Sequence, residues 1–213
     1  MRHVHRSVDG ATIDVGVGVV DAPEDLSAIR EPGCAAVIWR RQPLPRFQDW
    51  IDRLAPAQLP TARLTLRTDA IHDAVQQVCY AAGMSEGPER TWLVDDIAAL
   101  GAVFGSLMAA PFVRLRLDVI ETNACRKFHI DSVTARLVCT YRGTGTQYGI
   151  SMDGAEPTRV FTVPTGAPIV LRGTRWPGDP QSSLLHRSPP IEGTSETRLL
   201  LVFDPVIDPE DDY

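Results

Sequence analysis

Apolar positions in the first half of the chain recur mainly at three- and four-residue spacing; in the second half they alternate or form short runs. Phe47, Trp50, Ile51 and Leu54 mark one face of a helix that starts at Pro45 and stops at Pro56. Ile71, Ala74, Val75, Val78 and Cys79 repeat the pattern over Asp69 to Ala82, with Gly83 as the stop. Leu93, Ile97, Leu100, Val103, Phe104 and Leu107 predict a third helix from about Thr91 to Met108, ended by Pro111. The runs Ala35 to Trp39 and Ala62 to Leu66 predict strands. Val113 to Ile120 alternates as a half-buried strand does. Leu184 to His186, a polar turn from Glu192 to Glu196, and the run Leu199 to Phe203 predict a short strand, a turn and a buried strand entered through Thr197 and Arg198. The order predicts one α+β unit, with residues 1–111 as an N-terminal helical and mixed layer, 112–206 as a β core, and 207–213 as a solvated acidic tail.

The chemistry concentrates in the second half. His129 and Asp131, one residue apart at the end of the alternating stretch, share a face, with Phe128 and Ile130 on the other. An imidazole and a carboxylate on one face can take adjacent positions on a metal ion. His186, from a later neighbouring strand, would bring a third ligand and leave about three octahedral positions open. The turn after His186 returns Arg198 to its vicinity as a hairpin partner. A buried guanidinium there is a fork for a carboxylate. Each residue alone has an ordinary reading as a surface pair, a core histidine or a salt-bridged arginine; together, in this order, they point to a metal site.

That order resembles the iron(II)- and 2-oxoglutarate-dependent oxygenases, in particular their prolyl-hydroxylase-like members. Arg136 to Tyr141 (RLVCTY) and Gly143 to Tyr148 (GTGTQY) are similar to the strand and Gly-rich turn that follow the first metal ligands there. Ala167 to Gly173 (APIVLRG) looks like the strand before the distal histidine, and Arg198 to Asp204 (RLLLVFD) like the closing strand. The segment Cys125 to Asp204, including CRKFHID, also resembles an uncharacterised bacterial family, domain of unknown function 1826. The resemblance implies a double-stranded β-helix (jelly-roll, cupin-like) core. His129, Asp131 and His186 would hold iron(II), and Arg198 would pair with the distal carboxylate of 2-oxoglutarate. Tyr141 or Thr140 would lend that anion a hydroxyl, although alternation lets only one face inward. The implied activity is that of a dioxygenase, a hydroxylase or demethylase, on a protein side chain or small molecule that the sequence does not specify. The pattern departs from the family at Ser132, which follows Asp131, and at Thr122-Asn123-Ala124, where many members place an aromatic and proline-glycine approach. The alternative from another class is a metal-binding module on the same fold that handles a metal such as zinc without turnover. A third is a cofactor-free interaction domain with incidental histidines.

Around this site, Arg136 would balance Asp131 or meet a substrate carboxylate, and Asn123, Gln147 and Arg187 would contact substrate or satisfy a turn. The loop from Gly173 to Ser183, with Trp176, is the candidate lid. In the first half, Trp39-Arg40-Arg41 offers an exposed recognition element, although a tryptophan ending a strand is more often core, and His72 reads as solvated.

Composition narrows the partners. With 213 residues, 44% hydrophobic and 23% charged, the chain is long enough for one buried core. A net charge of -6 argues against nonspecific nucleic-acid binding. The four cysteines, Cys34, Cys79, Cys125 and Cys139, fall in no C-x-x-C spacing and fit free thiols in a reducing compartment. The polar start, Met1 to Arg6, and the short glycine-broken run Val15 to Val20 suggest neither a signal nor a membrane span, so the cytoplasm is the expected location.

Overall fold

The computed structural model describes residues 16–151, 154–178 and 182–212. The polar start, Val15, Tyr213 and part of the expected lid lie outside the described residues. Among the described residues, ten strands and three α-helices run in the order β1 (Gly16–Val20), β2 (Cys34–Trp39), α1 (Pro45–Arg53), β3 (Ala62–Arg67), α2 (Ile71–Ala81), α3 (Pro88–Met108), β4 (Phe112–Ile120), β5 (Ala135–Arg142), β6 (Gln147–Ile150), β7 (Phe161–Thr162), β8 (Ile169–Arg172), β9 (Leu184–Arg187) and β10 (Arg198–Val206). Seven form one sheet in the order β1-β2-β8-β5-β10-β4-β3, and three form a second in the order β7-β6-β9.

Alternation along the central strands decides what each face of the large sheet meets. On β4, Val113, Leu115 and Leu117 are fully buried, as are Leu199, Leu201 and Phe203 on β10, and all join the core beneath the helices. The intervening Val202, with Val138 on β5 and Ile169 and Leu171 on β8, packs instead with Leu184 of β9 in a second core between the sheets. The helices approach the first face closely. A Cβ at Gly101 of α3 would run into Ile71 Cδ1 and press on Phe203, so glycine lets α3 lie this near β10 without moving either side chain. α3 is long and apolar enough by length and composition to cross a membrane. In this fold its buried stripe, Leu93, Ile97, Leu100 and Phe104, meets the sheet.

The chain crosses between sheets repeatedly. It leaves the large sheet after β4, touches β9 of the small one through a two-residue bridge, returns in β5, crosses to β6 and β7, returns in β8, crosses to β9 and ends in β10. Two expectations are corrected by this path. His129 and Asp131 do not end the β4 strand; they lie in a separate segment facing the other sheet. β9 and β10 do not form a hairpin, because the turn after His186 carries the chain from the small sheet to the large one, where β10 pairs with β4 and β5. The first half also supplies more than helices: β1 and β2 form one edge of the large sheet, paired in parallel, and β3 forms the other.

Candidate metal centre

The first two candidate ligands are set by a strand that is almost absent. Between β4 and β5 the backbone pairs with β9 only at His129, whose N–H donates to the His186 carbonyl at 3.0 Å and whose carbonyl accepts from the His186 N–H at 3.0 Å. This exchange puts the two imidazoles side by side, ring centroids 4.6 Å apart. The segment is fastened on its other side by Gly173 and the two residues after it: Gly173 N donates to Thr134 O, Thr174 N to Asp131 O and Arg175 N to Val133 O. A Cβ at Gly173 would collide with the Val133 carbonyl oxygen, which fixes that position as glycine.

One donor atom from each of His129, Asp131 and His186 lies within 4.8 Å of the others. His186 Nε2 is 2.9 Å from Asp131 Oδ2, and His129 Nε2 is 3.4 Å from Asp131 Oδ1. Two ligands at right angles on one ion, with bonds of about 2.1 Å, stand about 3 Å apart. Among the described residues, buried Asp131 Oδ2 has no hydrogen-bond partner, so the 2.9 Å approach of His186 Nε2 lacks the direction of a hydrogen bond. An orphaned carboxylate oxygen beside a misdirected ring nitrogen is what a shared cation would satisfy. The outer contacts agree with that. His129 Nδ1 donates to the Lys127 carbonyl at 2.9 Å, which leaves Nε2 as the lone-pair nitrogen. Arg136 Nη1 holds Asp131 Oδ1 at 2.5 Å, so Oδ2 is the oxygen left over.

Electrostatics follow from these contacts. Burial would push the Asp131 carboxyl up, but His129, His186 and Arg136 overcome it and hold the group well below the usual carboxylate range. Contact with Asp131 raises the His129 pKa above its ordinary value. A cleft of about 360 Å³ opens beside His129, lined also by Ala124, Cys125, Arg126 and Lys127.

Arg198 has no exposed surface, and among the described residues it pairs with no carboxylate. Its Nε donates to Thr144 O at 2.6 Å; Nη1 and Nη2 make only long contacts, 3.4 Å to Ser188 Oγ and 3.5 Å to Thr140 Oγ1. Ser188 follows His186 by two residues, just past the end of β9, so Arg198 meets the chain that continues the histidine's own strand. Burial lowers the pKa of Arg198 to about 10.

The expected roles divide. Thr140 shares the inner face with Arg198, whereas Tyr141 is corrected: it points to the helix side, fully buried, and donates to Asp96 Oδ2 at 2.6 Å. Period-two alternation makes the choice, since Cys139 and Tyr141 belong to the core under the helices. Asp96 is further held by Arg41 through contacts of 2.5 and 2.7 Å, so this trio ties β5 to α3 and the segment after β2. Arg136 meets Asp131 and also grips Asp204 with two bonds of 2.6 and 2.7 Å. Asn123 caps the later turn, accepting from Ile191 N and Glu192 N. Arg187 lies over Phe128 and donates to Gln147 Oε1 at 2.9 Å, on the face of β9 away from His186. Asp204 escaped the sequence reading as a site residue; its signal was the even-numbered parity it shares with Arg198 on β10.

A model of the DUF1826 family, described as a protein of unknown function, matches residues 20–204. No curated protein matches the chain. Among solved structures, the dioxygenase for auxin oxidation 1 from Arabidopsis thaliana, in its 2-oxoglutarate complex, is similar over 90% of this chain and 93% of its own, at 11% identity and a TM-score of 0.54. The dioxygenase for auxin oxidation of rice covers 89% of this chain and 80% of its own, at 14% identity and a TM-score of 0.50. At these identities the likeness is one of fold.

Proposed function

We propose that this chain, which belongs to the DUF1826 family, is an iron(II)- and 2-oxoglutarate-dependent dioxygenase whose two crossing sheets make a double-stranded β-helix with the helices of the first half layered on its large sheet. The observation that carries the reading is the pairing of two unsatisfied groups. Among the described residues, Asp131 Oδ2 lies orphaned between two histidines, and the fully buried guanidinium of Arg198 pairs with no carboxylate. A buried charge needs a partner, and a dicarboxylate co-substrate is one. His129, Asp131 and His186 would hold the metal; Arg198, with Thr140 beside it, would take the distal carboxylate. Bound together, iron and 2-oxoglutarate would supply oxidation of a substrate C–H bond by dioxygen, one oxygen atom going to the substrate and the other to the succinate formed with loss of carbon dioxide. This chain's own residues orient and neutralise. Arg136 keeps Asp131 ionised and directed, Lys127 O keeps His129 in the tautomer that offers Nε2, and the inter-sheet core of Val138, Val202 and Leu184 excludes water.

Calorimetric titration of the metal-loaded protein under anaerobic conditions tests the co-substrate. 2-Oxoglutarate is expected to bind at least tenfold more tightly than 2-oxobutyrate, which lacks the distal carboxylate, and Arg198→Met is expected to abolish the preference. Tight metal binding with no affinity for either keto acid would favour a metal-handling module instead.

A further inference from the structure

We infer that the substrate of this site carries a carboxylate or phosphate group and that Arg116 binds it. The assignment rests on the oxygenase reading for the word substrate, but its observations are separate. Val113, Leu115 and Leu117 of β4 fill the core beneath the helices, so Arg114, Arg116 and Asp118 occupy the opposite face, the one that Arg136 and Asp204 share. Arg116 pairs in register with Val202, whose side chain packs between the two sheets, and with Arg63 on β3.

The acids around Arg116 are already engaged. Asp204 is held by Nε and Nη2 of Arg136, and Asp118 by Arg63 at 3.1 Å. Among the described residues Arg116 makes no hydrogen bond or ion pair, and its Nε is buried without a partner. Arg63 and Arg136 therefore take these two carboxylates, and neither is left for Arg116. Burial and repulsion by Arg136 push the Arg116 pKa down, the mark of a cation held where the folded chain alone does not want one. The same Arg136 touches Asp131 Oδ1, so Arg116 stands one side chain away from a candidate metal ligand. A planar guanidinium with its fork free recognises two oxygens of a carboxylate or phosphate; a neutral or cationic substrate would leave the charge uncompensated.

The test uses the full chain loaded anaerobically with iron(II) and saturating 2-oxoglutarate. Inorganic phosphate and propionate are titrated separately at constant ionic strength, and the thermal unfolding midpoint is followed. At least one anion is expected to raise the midpoint saturably, and which one does so distinguishes phosphate from carboxylate chemistry. The apparent affinity is expected to fall at least tenfold in Arg116→Met and to be unchanged in Arg67→Met, which removes an exposed charge paired with Asp69. Without added anion, Arg116→Met should unfold no lower than the wild type, whereas a guanidinium kept for stability would be missed at once. Equal anion affinity in Arg116→Met and wild type, binding of neither anion, or loss of 2-oxoglutarate affinity in Arg116→Met would overturn the assignment. Should iron and 2-oxoglutarate fail to bind the wild type, the same titration on metal-free protein still reads Arg116 directly.

Discussion

At the level of single residues, the site combines charges that hold one another, Arg136 with Asp131 and Asp204, with groups left short of a partner among the described residues, Asp131 Oδ2 and Arg198. His129 makes this visible in pH. Its pKa is raised by Asp131, so the stability it lends the metal-free protein is full below the ordinary histidine range and is lost as pH rises through the raised value. Metal binding has the opposite sign, because a ligating imidazole must shed its proton. Metal affinity should therefore climb with pH through and somewhat above the ordinary histidine range, and His129→Gln should flatten that climb; metal titrations from pH 5.5 to 8.5 measure it. Tyr141 separates packing from cofactor contact. Tyr141→Phe should cost about 1.5–3 kcal/mol of stability, the worth of a buried hydrogen bond to a charged group, and leave 2-oxoglutarate affinity unchanged. Chemical denaturation and calorimetry read the two effects separately. The choice between Thr140 and Tyr141 was open in the sequence because alternation fixes only that they oppose each other. Which face is inner depends on where the helices settle, and no local signal encodes that.

At the level of elements, the helices were legible and the path of the strands was not. Phe47 and Ile51, Val75 and Cys79, and Leu93, Ile97 and Leu100 read out as buried faces of α1, α2 and α3. α3 begins three residues earlier than the apolar pattern because Pro88 sits in its first turn, where a proline suits the unpaired N–H groups. β9 and β10 looked like a hairpin because the polar turn between them carries turn residues; the sheet to which each strand pairs is set by partners far away in sequence. The same holds for the short segment from His129 to Thr134, held by backbone bonds to β9 and to Gly173, Thr174 and Arg175 rather than by a ladder of its own. Gly173→Ala should therefore act at a distance. By pushing on the Val133 carbonyl it should shift the segment and weaken metal binding about tenfold or more, with the metal content of purified protein as the readout.

On the scale of the whole molecule, one sheet separates two jobs. Its outer face receives the helices through an apolar core, and its inner face, closed by the small sheet, carries Arg116, Arg136, Thr140, Arg198 and Asp204. That His129, Asp131 and His186 come together, with Arg198 buried nearby, was readable from the chain, because His-x-Asp and a distant His-then-Arg are local enough to notice. The half-buried Arg116 and the Asp204 clasp were not, because an arginine on an alternating strand looks the same whether it meets solvent or a closed face. On the proposed reading, one metal and one 2-oxoglutarate would share the space between Asp131 and Arg198. Anaerobic addition of iron(II) and then 2-oxoglutarate to metal-stripped protein tests it through the weak visible charge-transfer band of a chelated keto acid. A saturable band, lost in His129→Ala and weakened in Arg198→Ala, is the predicted result. Bound iron with no band at saturating 2-oxoglutarate would contradict it.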